Sequence, residues 1–293
     1  MVLKGGTALN LFVFDLPRLS VDVDLNYVGA LERETMIAER PRVEQAIQAV
    51  CGRLGLRVRR TPSEHAGGKW RLAYDSALGR SGTLELDVNF LLRAPLWPPI
   101  LATSRPLGEA RASEVPMLDL NELAAGKLAA LFDRNAARDL FDARNLLGSG
   151  WLDPPRLRLA FVVYGGISRR DWREISLDDV RADPAEVGAR LVPVLRGHDA
   201  PARPAVALWA EALTASCRGL LSGLLPLHEH EVEFLARLNQ YGEIAPDLLT
   251  SAEPLQETIR RHPGLLWKAW NVRRHRGVEP PGDDGPRPAP HGS

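Results

Sequence analysis

Three aspartates lie on two stretches of the chain in which apolar and polar residues alternate. Asp22 and Asp24 belong to the polar set of residues 21–26, and Asp87 belongs to the polar set of residues 84–90. Because side chains on a β-strand point alternately to opposite faces, each stretch predicts a strand with its carboxylates on one face. Carboxylates held so close repel one another unless a cation lies between them. If the two strands are neighbours, the aspartates form an oxygen-rich site of the kind that binds Mg²⁺ together with substrate phosphates.

A glycine pair precedes the first of these strands. Gly5 and Gly6 follow a short predicted strand, and a helix is predicted over residues 7–14. Glycine lets the backbone N–H groups approach a phosphate closely, and the start of a helix favours negative charge. The order strand, glycine turn, helix, loop, strand therefore predicts a phosphate beside the carboxylates.

A lysine interrupts the apolar stripe of a predicted helix later in the chain. Lys127 lies among the leucines of residues 120–132, and the next helix, residues 136–147, carries Asp139 and Asp142 three residues apart. A lysine on a buried face is costly unless an acidic partner compensates it. The alternative is a lysine whose stem is buried and whose amine reaches water.

Taken together, these motifs resemble those of a known family. Gly5-Gly6-Thr7, Asp22-x-Asp24 and the later Asp87 resemble the nucleotidyltransferase superfamily signature, and the residues around them look like the AbiEii/AbiGii-type nucleotidyltransferase toxins. The pattern Glu-x-x-Ala-x-Lys-Leu, followed by Arg-Asp-Leu-x-Asp in residues 138–142, is similar to a second motif of these toxins. The resemblance runs from residue 2 to about residue 147 and is weaker beyond.

The resemblance implies a toxin of a toxin–antitoxin system, with a cognate antitoxin encoded nearby. Such an enzyme would transfer a nucleoside monophosphate from a nucleoside triphosphate to an RNA acceptor, expected to be the tRNA 3′ end, and so block translation. Mg²⁺ would be held by Asp22, Asp24 and Asp87, which with Lys127 and Asp142 form the implied catalytic set. The triphosphate would be bound by Lys4, Gly5, Gly6, Thr7, Arg18, Ser20 and Lys127, with Asp142 supporting the site.

Most of these residues also have a purely structural interpretation. The aspartates would form the polar face of half-exposed strands, and the hydroxyls of Thr7 and Ser20 would belong to a helix start and a loop. Arg18 would pair with one of the two aspartates of the first strand. Asp142 would pair with Arg138, four residues before it on the same helix.

Two other functions fit the same residues. A small-molecule nucleotidyltransferase of the antibiotic-modifying kind would use the same carboxylates but would need no basic acceptor surface. A non-catalytic protein would keep the fold and bind RNA or a protein partner. Mg²⁺-dependent release of pyrophosphate separates the enzymes from this last alternative.

The composition is that of an ordinary globular protein. The chain has 293 residues, 45% of them hydrophobic and 25% charged, with a formal net charge of zero, so a basic surface for nucleic acid must be local. Two cysteines without metal-ligand spacing, and the lack of a signal peptide or long apolar run, predict a reduced cytoplasmic protein with no membrane segment. The resembled family usually has further helices before the glycine pair, so the start is either naturally short or lies upstream.

The expected fold is α+β, a nucleotidyltransferase-like mixed sheet with flanking helices followed by a helical C-terminal region. Residues 1–115 would form the catalytic core, and residues 116–278 would complete the site and form the acceptor side. Residues 279–293, rich in proline, glycine and polar residues, predict a disordered tail. A turn at 79–82 predicts a hairpin that leads into the Asp87 strand.

Three further motifs receive structural predictions. Residues 267–276 mix tryptophans with basic residues and could contact RNA, but we favour a terminal helix whose tryptophans pack inward. His228 and His230 diverge on a helix, which predicts a solvated charged helix and no metal site. The pair Gly165-Gly166, which no Asp-x-Asp follows, predicts a turn.

Overall fold

Seven strands of the chain form one mixed sheet. The computed structural model describes residues 1–62, 67–77, 79–197 and 200–278, so the predicted tail 279–293 lies outside the described residues. The strands are β1 (Val2–Lys4), β2 (Val23–Asn26), β3 (Arg57–Arg60), β4 (Gly67–Asp75), β5 (Ser81–Asn89), β6 (Ile100–Ala102) and β7 (Val115–Met117). They lie in the order β3-β4-β5-β2-β1-β7-β6.

Helices flank this sheet and make up the rest of the described chain. The helix α1 (Gly5–Thr7) continues into a π-helical turn, Ala8–Val13, so the predicted first helix begins two residues earlier than expected. The other helices are α2 (Arg33–Arg53), α3 (Leu120–Arg134), α4 (Ala137–Leu147), α5 (Pro154–Ile167), α6 (Pro184–Glu186), α7 (Val206–Leu221), α8 (Glu229–Tyr241), α9 (Glu253–Arg260) and α10 (Pro263–His275). The predicted α+β class, with helices following the sheet, is confirmed.

The central strand β2 is antiparallel to β1 and parallel to β5. Its register pairs Asp24 with Lys4 on one side and with Asp87 on the other, and β4 pairs Lys69 with Asp87. Residues directly opposite one another on neighbouring strands point to the same face of the sheet. The four side chains therefore form a row across four strands, which we call the carboxylate row: Lys4, Asp24, Asp87 and Lys69.

Two hydrophobic clusters hold these elements together. The larger joins Leu3 of β1 and Met117 of β7 to α3, α5 and the later helices, with Phe132 and Phe161 among its fully buried side chains. The smaller lies between α2 and the β4–β5 hairpin, around Trp70. Because the larger cluster includes side chains of β1 and of α3, it holds α3 near β1, the strand at which the carboxylate row ends. Over the described residues, the helices are all too short or too polar to cross a lipid bilayer.

Candidate active site

Gly5 brings the backbone of the first turn directly against Asp24. Its φ is +73°, and a Cβ atom at this position would lie 2.0 Å from Oδ2 of Asp24. Both the left-handed backbone and the lack of space exclude a larger residue. The carboxylate of Asp24 consequently lies over the junction of β1 and α1.

Two buried members of the carboxylate row are shifted toward their neutral forms. Burial raises the pKa of Asp24; Lys4 and Lys127 oppose this shift, and the charges of Asp87 and Asp22 add to it. Burial likewise lowers the pKa of Lys4, against the attraction of Asp24 and Asp87. Lys69 differs, because its hydrogen bond to Glu85 raises its pKa. A cation beside Asp24 would reverse the shift of its pKa, because an opposite charge favours the ionised carboxyl group.

Asp22 lies close to this row but is directed elsewhere. Its Oδ1 accepts a hydrogen bond from the backbone N–H of Glu85 at 3.4 Å. The Asp22 side chain is therefore directed toward β5. The three aspartates do not form a group whose carboxylate oxygens all lie within 4.8 Å of one another. Asp24 and Asp87 nevertheless face each other in register, and Mg²⁺ is commonly held by one or two carboxylates plus substrate phosphates. These two residues fit such an ion.

Within the described part of the chain, one group of three potential ligands does meet that distance: His228, His230 and Glu231. Both histidines are exposed, whereas Glu231 is buried and accepts two hydrogen bonds of 2.7 Å from Arg158 and one of 2.7 Å from the His228 backbone N–H. The carboxylate is thus occupied by protein donors. The predicted divergence of the two histidines is wrong: their ring centroids lie 5.4 Å apart, because His228 precedes α8 as its N-cap residue. Glu231 is bound by Arg158, so it is not a free third ligand.

The loop before β2 is fastened to α1. The Thr7 hydroxyl donates to the carbonyl oxygen of Asp22 and lies 3.3 Å from both the carbonyl and the side-chain oxygen of Ser20. A Cβ atom on Gly6 would lie 2.7 Å from Oγ of Ser20 and 2.9 Å from Nη2 of Arg18. Thr7, Gly6 and Ser20 therefore hold the loop in place and are not among the residues that line the cavity described below.

Arg18 is buried at the end of this loop, where it pairs with Asp142 of α4. Its Nε and Nη2 atoms lie 2.7 Å and 2.5 Å from the two carboxylate oxygens. Both structural predictions for these residues are wrong, since Arg18 pairs with neither strand aspartate and Asp142 does not pair with Arg138. The two residues are 124 positions apart, and their pairing ties the loop to the helical region.

Lys127 belongs to the same buried network. Its Nζ lies 2.9 Å from Asp139 and 3.0 Å from Asp142, and Arg134 lies 2.5 Å from the second oxygen of Asp139. We call Arg18, Lys127, Arg134, Asp139 and Asp142 the ionic network. It contains three cations and two anions, so one positive charge is left over.

In this network, unlike Asp24 and Lys4 of the carboxylate row, Lys127 and Asp139 are stabilised in their charged forms. Burial acts to lower the pKa of Lys127, but Asp142 and Asp139 outweigh it and the pKa is raised. Burial acts to raise the pKa of Asp139, but Lys127 and Arg134 outweigh it and the pKa is lowered. Lys127 thus remains a cation, and it lines the same cavity as Asp24.

A cavity of about 1740 Å³ connects these groups to the C-terminal helices. It is lined by Lys4, Gly5, Asp24, Asp87 and Lys127, and also by Trp267, Trp270 and Arg273 of α10. The predicted inward packing of the two tryptophans is wrong. Leu265 and Ala269 occupy the buried face of α10, which leaves both indole rings half-buried at the cavity surface.

Lys69 and Arg134 were not identified from the sequence. The β4–β5 connection spans residues 76–80, because Asp75 pairs with Ser81, and this register sets Lys69 beside Asp87. The predicted turn at 79–82 lies too late in the chain to give that pairing. A predicted hairpin centred a few residues earlier would have placed Lys69 opposite Asp87. No local pattern identifies Arg134, because its partner lies on another helix.

Comparisons with known proteins agree with this architecture. A family model described as the nucleotidyl transferase AbiEii toxin of type IV toxin–antitoxin systems matches residues 1–233. Among solved structures, MenT4, a nucleotidyltransferase toxin from Mycobacterium tuberculosis H37Rv, is similar with a TM-score of 0.54 and 21% sequence identity, over 90% of this chain and 84% of that chain. Among curated proteins none matches. The structural likeness shows the fold, and the family match shows that the chain belongs to the AbiEii nucleotidyltransferase toxins of type IV toxin–antitoxin systems.

Proposed function

We propose that this enzyme transfers a nucleoside monophosphate from a nucleoside triphosphate to RNA, with the tRNA 3′ end as acceptor, and that it blocks translation in the cytoplasm. The observation that carries the proposal is the register of the carboxylate row, which sets Asp24 beside Asp87 at the wall of a cavity that also contains Lys127. A toxin of this family implies a cognate antitoxin, and we expect it to be encoded nearby.

In this proposal Asp24 and Asp87 hold Mg²⁺, and Asp22 adds negative charge two residues away. Mg²⁺ held by these residues would supply positive charge that favours triphosphate binding and departure of pyrophosphate. The fit rests on the donor chemistry, since two registered carboxylates supply hard oxygen ligands. Burial raises the pKa of Asp24, and a cation bound beside it would act in the opposite direction.

The protein's own groups would position the triphosphate. Gly5, which has no side chain, lets the phosphates approach the β1–α1 turn beside Asp24. Lys127, held as a cation by Asp139 and Asp142, and Lys4 would supply two amines at the cavity that contains Asp24. Arg18 and Asp142 are positioning residues, because their ion pair is buried and holds both Lys127 and the loop before β2.

The chemical step follows from the same arrangement. As the acceptor hydroxyl attacks the α-phosphorus, Asp87 accepts its proton, and the bond from the α-phosphorus to the bridging oxygen breaks so that pyrophosphate leaves. Catalysis then consists mainly of positioning and charge neutralisation.

The size of the cavity supports a macromolecular acceptor over a small molecule. Pockets for small ligands are usually about 300–1,000 Å³. This cavity, at about 1740 Å³, has room for a triphosphate and the end of a second substrate. Basic residues from the later part of the chain, among them Arg169, Arg260 and Arg273, also line it. An antibiotic-type enzyme would need neither feature.

The test uses the purified protein, each labelled nucleoside triphosphate, Mg²⁺ and total RNA. We expect label to appear in RNA of tRNA size, with pyrophosphate release in parallel. Asp24→Asn should reduce transfer by about a thousandfold. Asp75→Asn is the matched control, because Asp75 is on the same sheet but pairs with Arg57 at the exposed surface. Equal transfer by wild type and Asp24→Asn would refute the proposal.

A further inference from the structure

The helix α10 presents two different faces. Leu265 and Ala269 are buried where α10 packs on α5 and α8, whereas Trp267, Trp270 and Arg273 lie at the cavity. The Arg274 guanidinium stacks over the ring of Trp270 at 5.2 Å. Among the described residues, no ring or guanidinium stacks on Trp267. Trp267 is half-buried and lines the cavity, so part of its ring can contact a ligand there.

Two arginines beside these rings have no acidic partner in the described part of the chain. Arg260 and Arg261 pair with Glu257 and Glu32, each at 2.7 Å, but no ion pair or hydrogen bond from the side chain holds Arg273 or Arg169. Both of these unpaired arginines line the cavity. Unpaired cations next to an open aromatic ring are the combination that proteins use to bind single-stranded nucleic acid.

We propose that Trp267, Trp270, Arg273 and Arg169, which we call the α10 wall, bind the unpaired 3′ end of the RNA acceptor. Trp267 stacks on a base, and the two free arginines contact the phosphates that follow it. Only unpaired nucleotides can present a free base face, so the wall selects single strands over duplexes. This inference rests on the proposed function, since it assigns the acceptor side of the same cavity.

The charge distribution separates this site from that of the triphosphate. The triphosphate is matched by Lys4 and Lys127, which line the cavity together with Asp24. The α10 wall has unpaired cations of its own, Arg273 on α10 and Arg169 just after α5, so it is equipped for a second polyanion. Trp267 is accordingly assigned to the acceptor and not to the base of the triphosphate.

The test compares Trp267→Ala, Trp267→Phe and Trp151→Ala. Trp151 is 57% exposed and does not line this cavity, so it is the matched control for loss of an indole. Affinity is measured by fluorescence anisotropy with a labelled single-stranded RNA ending in a free 3′ hydroxyl and with a duplex of the same sequence. KM for the nucleoside triphosphate is measured for each variant, and thermal unfolding checks that each is folded.

Trp267→Ala should weaken binding of the single strand by about tenfold, with Trp267→Phe close to wild type and Trp151→Ala unchanged. KM for the triphosphate and duplex affinity should not change. An unaltered single-strand affinity in Trp267→Ala overturns the inference, as does a raised KM for the triphosphate alone. If the protein labels RNA but Trp267→Ala binds the single strand as wild type does, the inference is wrong and the proposed function is retained.

If binding of the single strand depends on Trp267 but no RNA is labelled, the proposed function is wrong and the assignment of RNA binding to the α10 wall is retained.

Discussion

The carboxylate row and the ionic network lie at the same cavity, but only one of them satisfies its own charges. In the row, burial raises the pKa of Asp24 and lowers that of Lys4, so each group is pushed toward its neutral form. In the network, Lys127 and Asp139 are pushed the other way, each toward its charged form by its partners.

This difference assigns roles to buried ionisable groups. Burial disfavours the charge of Asp24, which lines the cavity, so an external cation beside it would favour the ionised form. A buried carboxylate that already holds two cations, such as Asp142 with Arg18 and Lys127, is part of the scaffold. Variants of the two clusters should therefore fail in different ways, one in activity alone and the other in stability as well.

Removal of Asp142 should produce the largest loss of stability. Asp142→Ala leaves Arg18 and Lys127 without their shared anion, and breaking a buried ion pair costs about 3–5 kcal/mol. Urea denaturation followed by circular dichroism measures the free energy of unfolding, and transfer to RNA should fall with it. The control is Asp178→Ala, whose carboxylate is 88% exposed where it faces Arg218. A stable but inactive Asp142→Ala would place Asp142 in the chemistry and not in the scaffold.

Glu122 sharpens the comparison, because it is a buried acid with neither a metal nor a cationic partner. Burial raises its pKa to about 7, although it accepts hydrogen bonds from the Leu96 N–H and the Tyr164 hydroxyl, each at 3.0 Å. A carboxyl group with a raised folded pKa contributes stability below its unfolded pKa of 4.5 and loses it as pH rises to about 7.

Wild type should therefore lose about 3 kcal/mol of unfolding free energy relative to Glu122→Gln between pH 4 and pH 8. Glutamine keeps an oxygen for the Leu96 N–H but cannot ionise. Denaturation curves of the two proteins across this range measure the difference. Parallel curves at all pH values would mean that the pKa of Glu122 is the same in the folded and unfolded states, so that burial does not raise it.

Gly5→Ala should give a smaller loss of stability but a large loss of activity. The added methyl group would meet Asp24 at 2.0 Å, and the positive φ adds backbone strain, together about 1–3 kcal/mol. Gly55→Ala is the matched control, since Gly55 has a φ of +69° but no atom within 4 Å of the added carbon. The difference between the two variants isolates the clash with Asp24. Equal stability and full transfer in Gly5→Ala would contradict the close packing of this turn.

Local patterns were enough to predict the two aspartates of the carboxylate row, but not Lys69. Alternation fixed which face of each strand carries Asp24 and Asp87, and the structure sets the two in register. The acidic partners of Lys127 could be expected as well, because a buried lysine requires compensation. The parallel pairing of β2 with β5 was expected only as a condition, because α2, β3 and β4 lie between them in the chain.

Contacts between distant parts of the chain determine the features that local sequence patterns could not predict. The pairing of Arg18 with Asp142 requires the loop before β2 to meet α4, and no local pattern specifies that contact. The predicted turn at Gly165-Gly166 is wrong, because both residues lie inside α5, where a Cβ on Gly165 would be 2.0 Å from Trp172. That glycine reflects a close approach between elements and not a break in the helix. The position of Trp267 at the cavity likewise depends on which face of α10 packs into the core.

The most direct test of the account is calorimetric titration of Mg²⁺ into the protein bound to a non-hydrolysable nucleoside triphosphate analogue. Wild type and Asp75→Asn should bind the ion, whereas Asp24→Asn should lose most of the affinity while its thermal unfolding temperature is unchanged or higher, because the fold already disfavours the charge on Asp24. If Asp24→Asn binds Mg²⁺ as tightly as wild type, the carboxylate row is not the metal site and the proposed mechanism is wrong.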